Sequence, residues 1–394
     1  MAGVLGELDV RTAARRGERF LHVEAGTVVS PSAREVAERM GIELRAGPPA
    51  SGAVAGVDHG RAMARGLYRR SPRWVAPEPR RGQLPLRLGR VVFVGAGAVG
   101  AAAAHQAAVA AVADQLVLID VIPGLAAAVA LDIEHASGIT GSPTRALGAT
   151  TLGDVGGADA IVVTAGRPLT PGMTRADLQA VNGRVVRDIA TAIAEHAPRA
   201  FVIVVTNPVE EMTQALWAQS GLTDDRVVGM AGTLDSGRFR NALAAAAGVE
   251  PRDVDAIVLG SHGDEMVPVV SSATVKGRPL RDVLRPEVIA RCVRETVEGG
   301  AAVVALRRTG SASIAPAHAI IQVLDALRGA VAGAIPLTVR VHGEYGIDDT
   351  FVGVPVRLTP DGVSEVCVLP LDPGELTALR RSAAMTSARV EHGR

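Results

Sequence analysis

The sequence predicts an α/β chain: a doubly wound parallel sheet followed by an α+β catalytic domain, with a small extension in front. Three observations carry this. From Gly89 onward, apolar runs of strand length ("RVVFVG", "LVLIDV", "AIVVTA", "FVIVVT") recur between helical stretches. Within these runs apolar residues follow one another without polar alternation, as expected of parallel strands covered on both faces by helices. Past about residue 230 the pattern shifts to longer helices and to "LTVRVHGEY" and "FVGVPVRLT", which read as antiparallel strands.

At 394 residues the chain is long enough for at least two cores. Its 41 basic and 41 acidic side chains balance, which argues against a nucleic-acid partner, since phosphate affinity needs excess positive charge. Cys292 and Cys367 are too few for a disulfide framework or a zinc cluster, and no metal-ligand spacing is found. The opening "MAGVLGELDVRTAARRGERF" lacks a continuous apolar segment, so a secretory signal is not expected. Val91 to Ala113 is long and apolar, but it holds three glycines, His105 and Gln106, and a strand follows at once. A membrane span is therefore not expected, and the cytoplasm is the expected location.

Residues 1–45 read as a small ordered module. "FLHV" and "TVV" have strand character, Ser32 to Glu35 has the form of a capping box, and Gly41 suits a helix C-terminus. "VVSPSAREVAERMGIEL" resembles short modules on enzymes of bacterial microcompartments, which implies a shell or cargo partner and a microcompartment location. Residues 46–88 read as a linker: from Ala46 to Arg87 eight arginines face only Asp58 and Glu78 among Pro, Gly and Ala, with one short helix at "GRAMARGLYRR". Residues 89–232 form the dinucleotide-binding domain and 233–394 the catalytic domain.

"VVFVGAGAVG" places Gly95, Gly97 and Gly100 in a GxGxxG spacing, at the end of a strand and the start of a helix. That is the Rossmann context: a tight turn, a backbone close to pyrophosphate, and a helix N-terminus toward its charge. Twenty residues past Gly100, Asp120 ends the next strand, where a carboxylate accepts from a ribose diol and repels a 2′-phosphate. NAD is the expected cofactor.

"GMAGTLDSGRFR" puts Asp235 and Arg238 on one helical face, "GSHGDEMVPV" puts His262 in a glycine-flanked turn after a strand, and "TNPVEEMT" puts Asn207 at a strand's carboxyl edge. With "GEYGIDDTFVGVPV" and "LDIEHA", these motifs resemble the lactate/malate dehydrogenase family over residues 89–394, closest to its malate branch. The resemblance implies hydride transfer between a small 2-hydroxy acid and its 2-oxo acid. His262 would be the proton donor and acceptor, as an imidazole titrating near neutral pH can be. Asp235 would orient it, and Arg238 would grip the C1 carboxylate with its planar fork. Arg175, at the end of the loop "AGRPLTPGMTR", would polarise the carbonyl, and Asn207 would bond substrate or nicotinamide. A homodimer or homotetramer is also implied.

The substrate's side chain is less plain. In the family, the residue six before the loop arginine meets it, an arginine in malate enzymes and usually glutamine in lactate enzymes. Here it is Leu169. A carboxylate buried against leucine would be disfavoured, so the expectation leans to lactate/pyruvate or another apolar 2-oxo acid. The alternative is malate/oxaloacetate, with Arg167 as selector. An alternative of another class is an encapsulated or scaffold protein whose N-terminal segment is the main functional part; the complete His262, Asp235, Arg238 and Arg175 set weighs against it.

Overall fold

The structure is a computed structural model that describes residues 4–5, 10, 13–14, 19–23, 28–29, 31–46, 78–79, 86–168, 173–308 and 310–392. The chain divides into two compact units, residues 1–60 and 61–394.

In the first unit, strands β1 (Val4–Leu5) and β3 (Val28–Val29) pair in parallel, as do β2 (Phe20–Val23) and β4 (Glu43–Ala46). Helix α1 (Pro31–Met40) sets Ala33, Val36 and Ala37, spaced as one helical face, among Val10 and Ile42. The helix starts one residue earlier than the expected capping box allows. Pro31, whose fixed φ and missing N–H suit a first helical position, places Ser32 inside the first turn. Gly41 follows the helix with φ +66, as its place required. "GRAMARGLYRR" lies outside the described residues.

The second unit is built on strands β6 (Leu88–Val94), β7 (Ala113–Ile119), β8 (Arg145–Ala149), β9 (Ala160–Val163), β10 (Phe201–Val204) and β11 (Val227–Gly229). They run in parallel in the order β8-β7-β6-β9-β10-β11, the doubly wound arrangement with its switch point between β6 and β9. The unbroken apolar runs are explained by β6. Val91 and Phe93 face one core with Ala103, Ala104 and Ala107 of helix α2 (Ala98–Val109). Val92 and Val94 face a second core with Val186, Ile189 and Ile193 of the helix Arg175–His196. The long apolar stretch is thus a strand, a turn and a twelve-residue helix whose alanines let it lie close to the sheet. Among the described residues no helix is long and apolar enough to cross a membrane.

Next come helix α3 (Leu125–Thr140), then α4 (Arg175–His196), α5 (Val209–Ser220) and α6 (Gly232–Ala247). The antiparallel strands of the C-terminal half extend the same sheet. β16 (Ile335–His342) pairs with β11 at Gly229↔Thr338, then β17 (Asp348–Thr359) and β18 (Gly362–Val366) follow. A separate antiparallel sheet holds β12 (Val254–Gly260), β13 (Met266–Val275) and β14 (Arg278–Pro279). Helices α7 (Pro286–Arg307), α8 (Ile314–Leu327) and α9 (Pro373–His392) complete the unit. The end of the stretch expected as a linker is fastened down. β5 (Glu78–Pro79) pairs with β15 (Val331–Ala332), and Arg87 bonds the Ala113 carbonyl at 3.0 Å and pairs with Asp114.

Candidate active site

The glycine loop leaves β6 at the switch point. Gly100 has no room for a side chain: a Cβ there would lie 1.9 Å from the Gly95 carbonyl, so glycine is what lets α2 start against the strand. At Gly97 the opposite holds, and a Cβ would meet nothing within 4 Å. Gly97 caps α2 with no side-chain hydrogen bond, leaving the first helical amides for an anion. Asp120 fixes the loop from the neighbouring strand, one oxygen accepting the Ala96 amide at 2.7 Å and the other the Ile122 amide at 2.9 Å. Each oxygen keeps a lone pair for a ribose hydroxyl. These residues fit the phosphates and adenosine ribose of a dinucleotide.

At the last residue of β12 the chain turns sharply. Gly260 has φ +79 and would put a Cβ 2.9 Å from the Glu265 carbonyl, so the turn needs glycine there. The turn presents His262 toward α6, where its Nδ1 lies 2.8 Å from Asp235 Oδ2. Arg238, one helical turn on, donates from Nη1 to the other oxygen of Asp235 at 3.0 Å. A single buried carboxylate thus holds a proton carrier and a guanidinium together. Asp235 raises the His262 pKa above 6.5, against the opposing pull of burial, and Glu210 adds to the rise. The Nε2 edge remains to exchange a proton with a bound molecule, and the other Arg238 nitrogens remain to grip a carboxylate. Gly299 and Gly300 of α7 keep the flank of that guanidinium clear, since Cβ atoms there would sit 3.4 Å from Arg238 Cδ and 3.6 Å from its Nη atoms.

The loop after β9 is anchored at both ends. At its root, the fully buried Asn182 accepts the Arg167 amide at 2.7 Å, donates to the Arg167 carbonyl at 3.1 Å and donates to the Asn207 carbonyl at 2.7 Å. Arg167 itself is exposed and makes no ion pair among the described residues. At the far end a capping box starts α4: Thr174 accepts the Asp177 amide, and the Asp177 carboxylate accepts the Thr174 amide. Arg175 is therefore the first helical residue; its side chain, like the whole of Leu169, lies outside what is described. Asn207 stands exposed just past β10, joined to the loop root through its carbonyl.

Sequence reasoning passed over several residues here. Glu210, 2% exposed, accepts the His262 backbone amide at 3.0 Å and the Thr338 hydroxyl at 3.2 Å. Burial, reinforced by neighbouring Glu211, pushes its carboxyl up to about 7. Two adjacent acids one residue beyond a proline past a strand end, "NPVEE", were the available signal. Asn182 sits mid-helix with nothing in its neighbours to mark it.

Comparison with known proteins agrees with this geometry. Residues 89–229 match the NAD-binding domain of lactate/malate dehydrogenase, and residues 232–394 match its alpha/beta C-terminal domain. The chain is 38% identical over 303 residues to the malate dehydrogenase of Pelodictyon phaeoclathratiforme, covering 77% of this chain and 98% of that one. The crystal structure of Cryptosporidium parvum malate dehydrogenase superposes with a TM-score of 0.75 at 34% identity, over 78% of this chain and 99% of that one. The lactate dehydrogenase of the same organism, complexed with lactic acid and nicotinamide adenine dinucleotide, gives 0.75 at 32% identity, over 78% and 98%. The chain belongs to the lactate/malate dehydrogenase family and is an NAD-dependent 2-hydroxy acid dehydrogenase.

Proposed function

We propose that the substrate pair is malate and oxaloacetate. The relatives named malate dehydrogenase favour this alternative over the lactate lean drawn from Leu169. Arg167 is the candidate cation for the second carboxylate, two residues before the position that carries it in malate enzymes. Its backbone is pinned by Asn182 while its guanidinium stays exposed, a fixed base carrying a long reach. Lactate/pyruvate stands as the second reading, on Leu169 alone.

The observation that carries the chemistry is the shared Asp235 carboxylate, with His262 at 2.8 Å and Arg238 at 3.0 Å. Arg238 binds the C1 carboxylate, and Arg175 polarises the C2 carbonyl from the loop. The nicotinamide, when bound, gives or takes the hydride at C2. His262 delivers a proton to the C2 oxygen in reduction and removes it in oxidation, and Asp235 fixes which ring nitrogen holds the proton. Asn207 bonds substrate or nicotinamide at the strand edge. Asp120 favours NAD over its phosphorylated form by repelling a 2′-phosphate. Residues 1–45 are proposed as a docking segment for a microcompartment shell or cargo partner, and the enzyme as a homo-oligomer; the sequence module and the family support these readings.

The deciding experiment is NADH oxidation with oxaloacetate and pyruvate, in the wild type, Arg167→Ala and Leu169→Arg. Oxaloacetate preference in the wild type that falls about tenfold or more in Arg167→Ala supports the proposal. Pyruvate preference, reversed by Leu169→Arg and untouched by Arg167→Ala, returns the function to lactate.

A further inference from the structure

The C-terminal helix carries a polar stripe that the proposed chemistry does not use. Ser382, Thr386 and Arg389 fall four and three residues apart on α9, hence on one face. All three engage the active-site turn or its neighbours. The Ser261 amide donates to Ser382 Oγ at 2.8 Å, and the hydroxyls of Ser261 and Thr386 lie 2.6 Å apart. Arg389 spends every nitrogen: Nε to Glu211 at 2.6 Å, Nη1 to Glu265 at 3.0 Å, Nη2 to Thr386 at 3.3 Å. Its carbonyl accepts from Gln179 of α4 at 3.3 Å.

These contacts place one side chain at a junction. Glu265 lies on the His262 turn, and Glu211 adjoins Glu210, which accepts the His262 amide. Gln179 lies one helical turn from Arg175. The charged groups that act on His262 are Asp235 and Arg238 from α6 and Glu210 from α5; Asp264 and Glu265 share its turn, and Glu211 and Glu265 pair with Arg389 from α9. Without Arg389, Glu211 and Glu265 would each keep a largely buried carboxylate with no cation from α9. Each has a second oxygen that already lacks a partner. Two such carboxylates, both bridged by Arg389 alone from α9, would repel each other and loosen the joint between the turn and α5.

We propose that Arg389 is a positioning residue for His262: from the C-terminal helix it locks the His262 turn, the start of α5 and helix α4 into one register. This rests on the dehydrogenase reading of the site, and the test separates the two.

The full-length chain is compared as wild type, Arg389→Met, Arg389→Lys and Arg389→Met with Glu265→Gln. NADH affinity is read by fluorescence, kcat and KM for the 2-oxo acid across neutral and alkaline pH, and the His262 imidazole by NMR, assigned with His262→Asn. In Arg389→Met, NADH affinity should stay within about twofold, while kcat falls about tenfold or more. The His262 pKa should rise by roughly half a unit or more as uncompensated carboxylates hold its proton. Lysine, and removal of the Glu265 charge, should each recover part of the loss. Unchanged kcat and an unmoved His262 titration overturn the proposal. So does a loss of kcat equal at every pH with the titration unmoved, or loss of NADH binding together with activity. If the wild type reduces no 2-oxo acid, the reading of the substrate fails, and the NMR titration still decides for or against Arg389.

Discussion

Replacing Glu210 by glutamine separates the burden of a buried charge from the hydrogen bonds it makes. In the folded protein the carboxyl is held at about 7 against an ordinary 4.5, through burial first and the Glu211 charge second. Because the folded state binds this proton more tightly than the unfolded chain, Glu210 favours folding most below pH 4.5. Stability then falls as pH rises toward 7, and above 7 the ionised form is disfavoured by about 3 kcal/mol. Glutamine keeps a carbonyl for the His262 amide and the Thr338 hydroxyl, so the loss of ion-strengthened hydrogen bonds, about 1 kcal/mol, offsets only part of the gain. Urea unfolding of both proteins in steps from pH 5 to about pH 9 measures the difference. Glu210→Gln should be less stable or equal near pH 5 and more stable by about 1 to 2 kcal/mol above pH 8, with a flatter profile between. Parallel curves for the two proteins, or a variant less stable at pH 8, would refute the reasoning.

Other outcomes follow from the same geometry. His262→Asn should cut turnover about a thousandfold with NADH binding retained in a fluorescence titration. In the wild type, the raised His262 pKa should keep 2-oxo acid reduction level through pH 6.5 and let it fall above the shifted value, with the opposite limb for 2-hydroxy acid oxidation, checked by initial rates in both directions. Asp120→Ser should narrow the NADH-over-NADPH ratio of kcat/KM; equal use of both by the wild type would remove Asp120 from cofactor choice. Deleting residues 1–60 should leave a folded, active dehydrogenase, measured by thermal melting and turnover, whereas a cut at residue 88 removes the β5–β15 pairing and the Arg87 contacts and should lower the melting temperature.

Much of this was open to reading because the signals are local. Apolar runs gave the parallel strands, the glycine spacing gave the loop after β6, and Asp235 and Arg238 three residues apart gave the helical pair that the structure closes at 3.0 Å. What could not be read depends on distant partners. Arg389 meets Glu211 across 178 residues, and Asn182 joins a loop root to a strand end through its amide alone. No composition marks such encounters, since burial and pairing are set only when the sheet is assembled. The first helix begins at Pro31 rather than after Ser32, since a proline suits the first helical position. Leu169 leans the expectation to lactate and Arg167 to malate; the relatives named malate dehydrogenase favour the latter, and one loop position does not decide between them.

Strands β11 and β16 meet at one rung, where Gly229 faces Thr338. A Cβ on Gly229 would lie 2.9 Å from Thr338 Cβ, so the approach is possible only with glycine, and the same threonine's hydroxyl reaches Glu210 beneath His262. The seam between the two halves of the chain therefore also borders the candidate site. In evolutionary terms, this joint restricts recombination: a C-terminal half grafted from a relative has to arrive with a residue that fits both Gly229 and Glu210. Halves of this family exchanged at the natural boundary near residue 230 should function only when Gly229, Glu210 and Thr338 are inherited as a set.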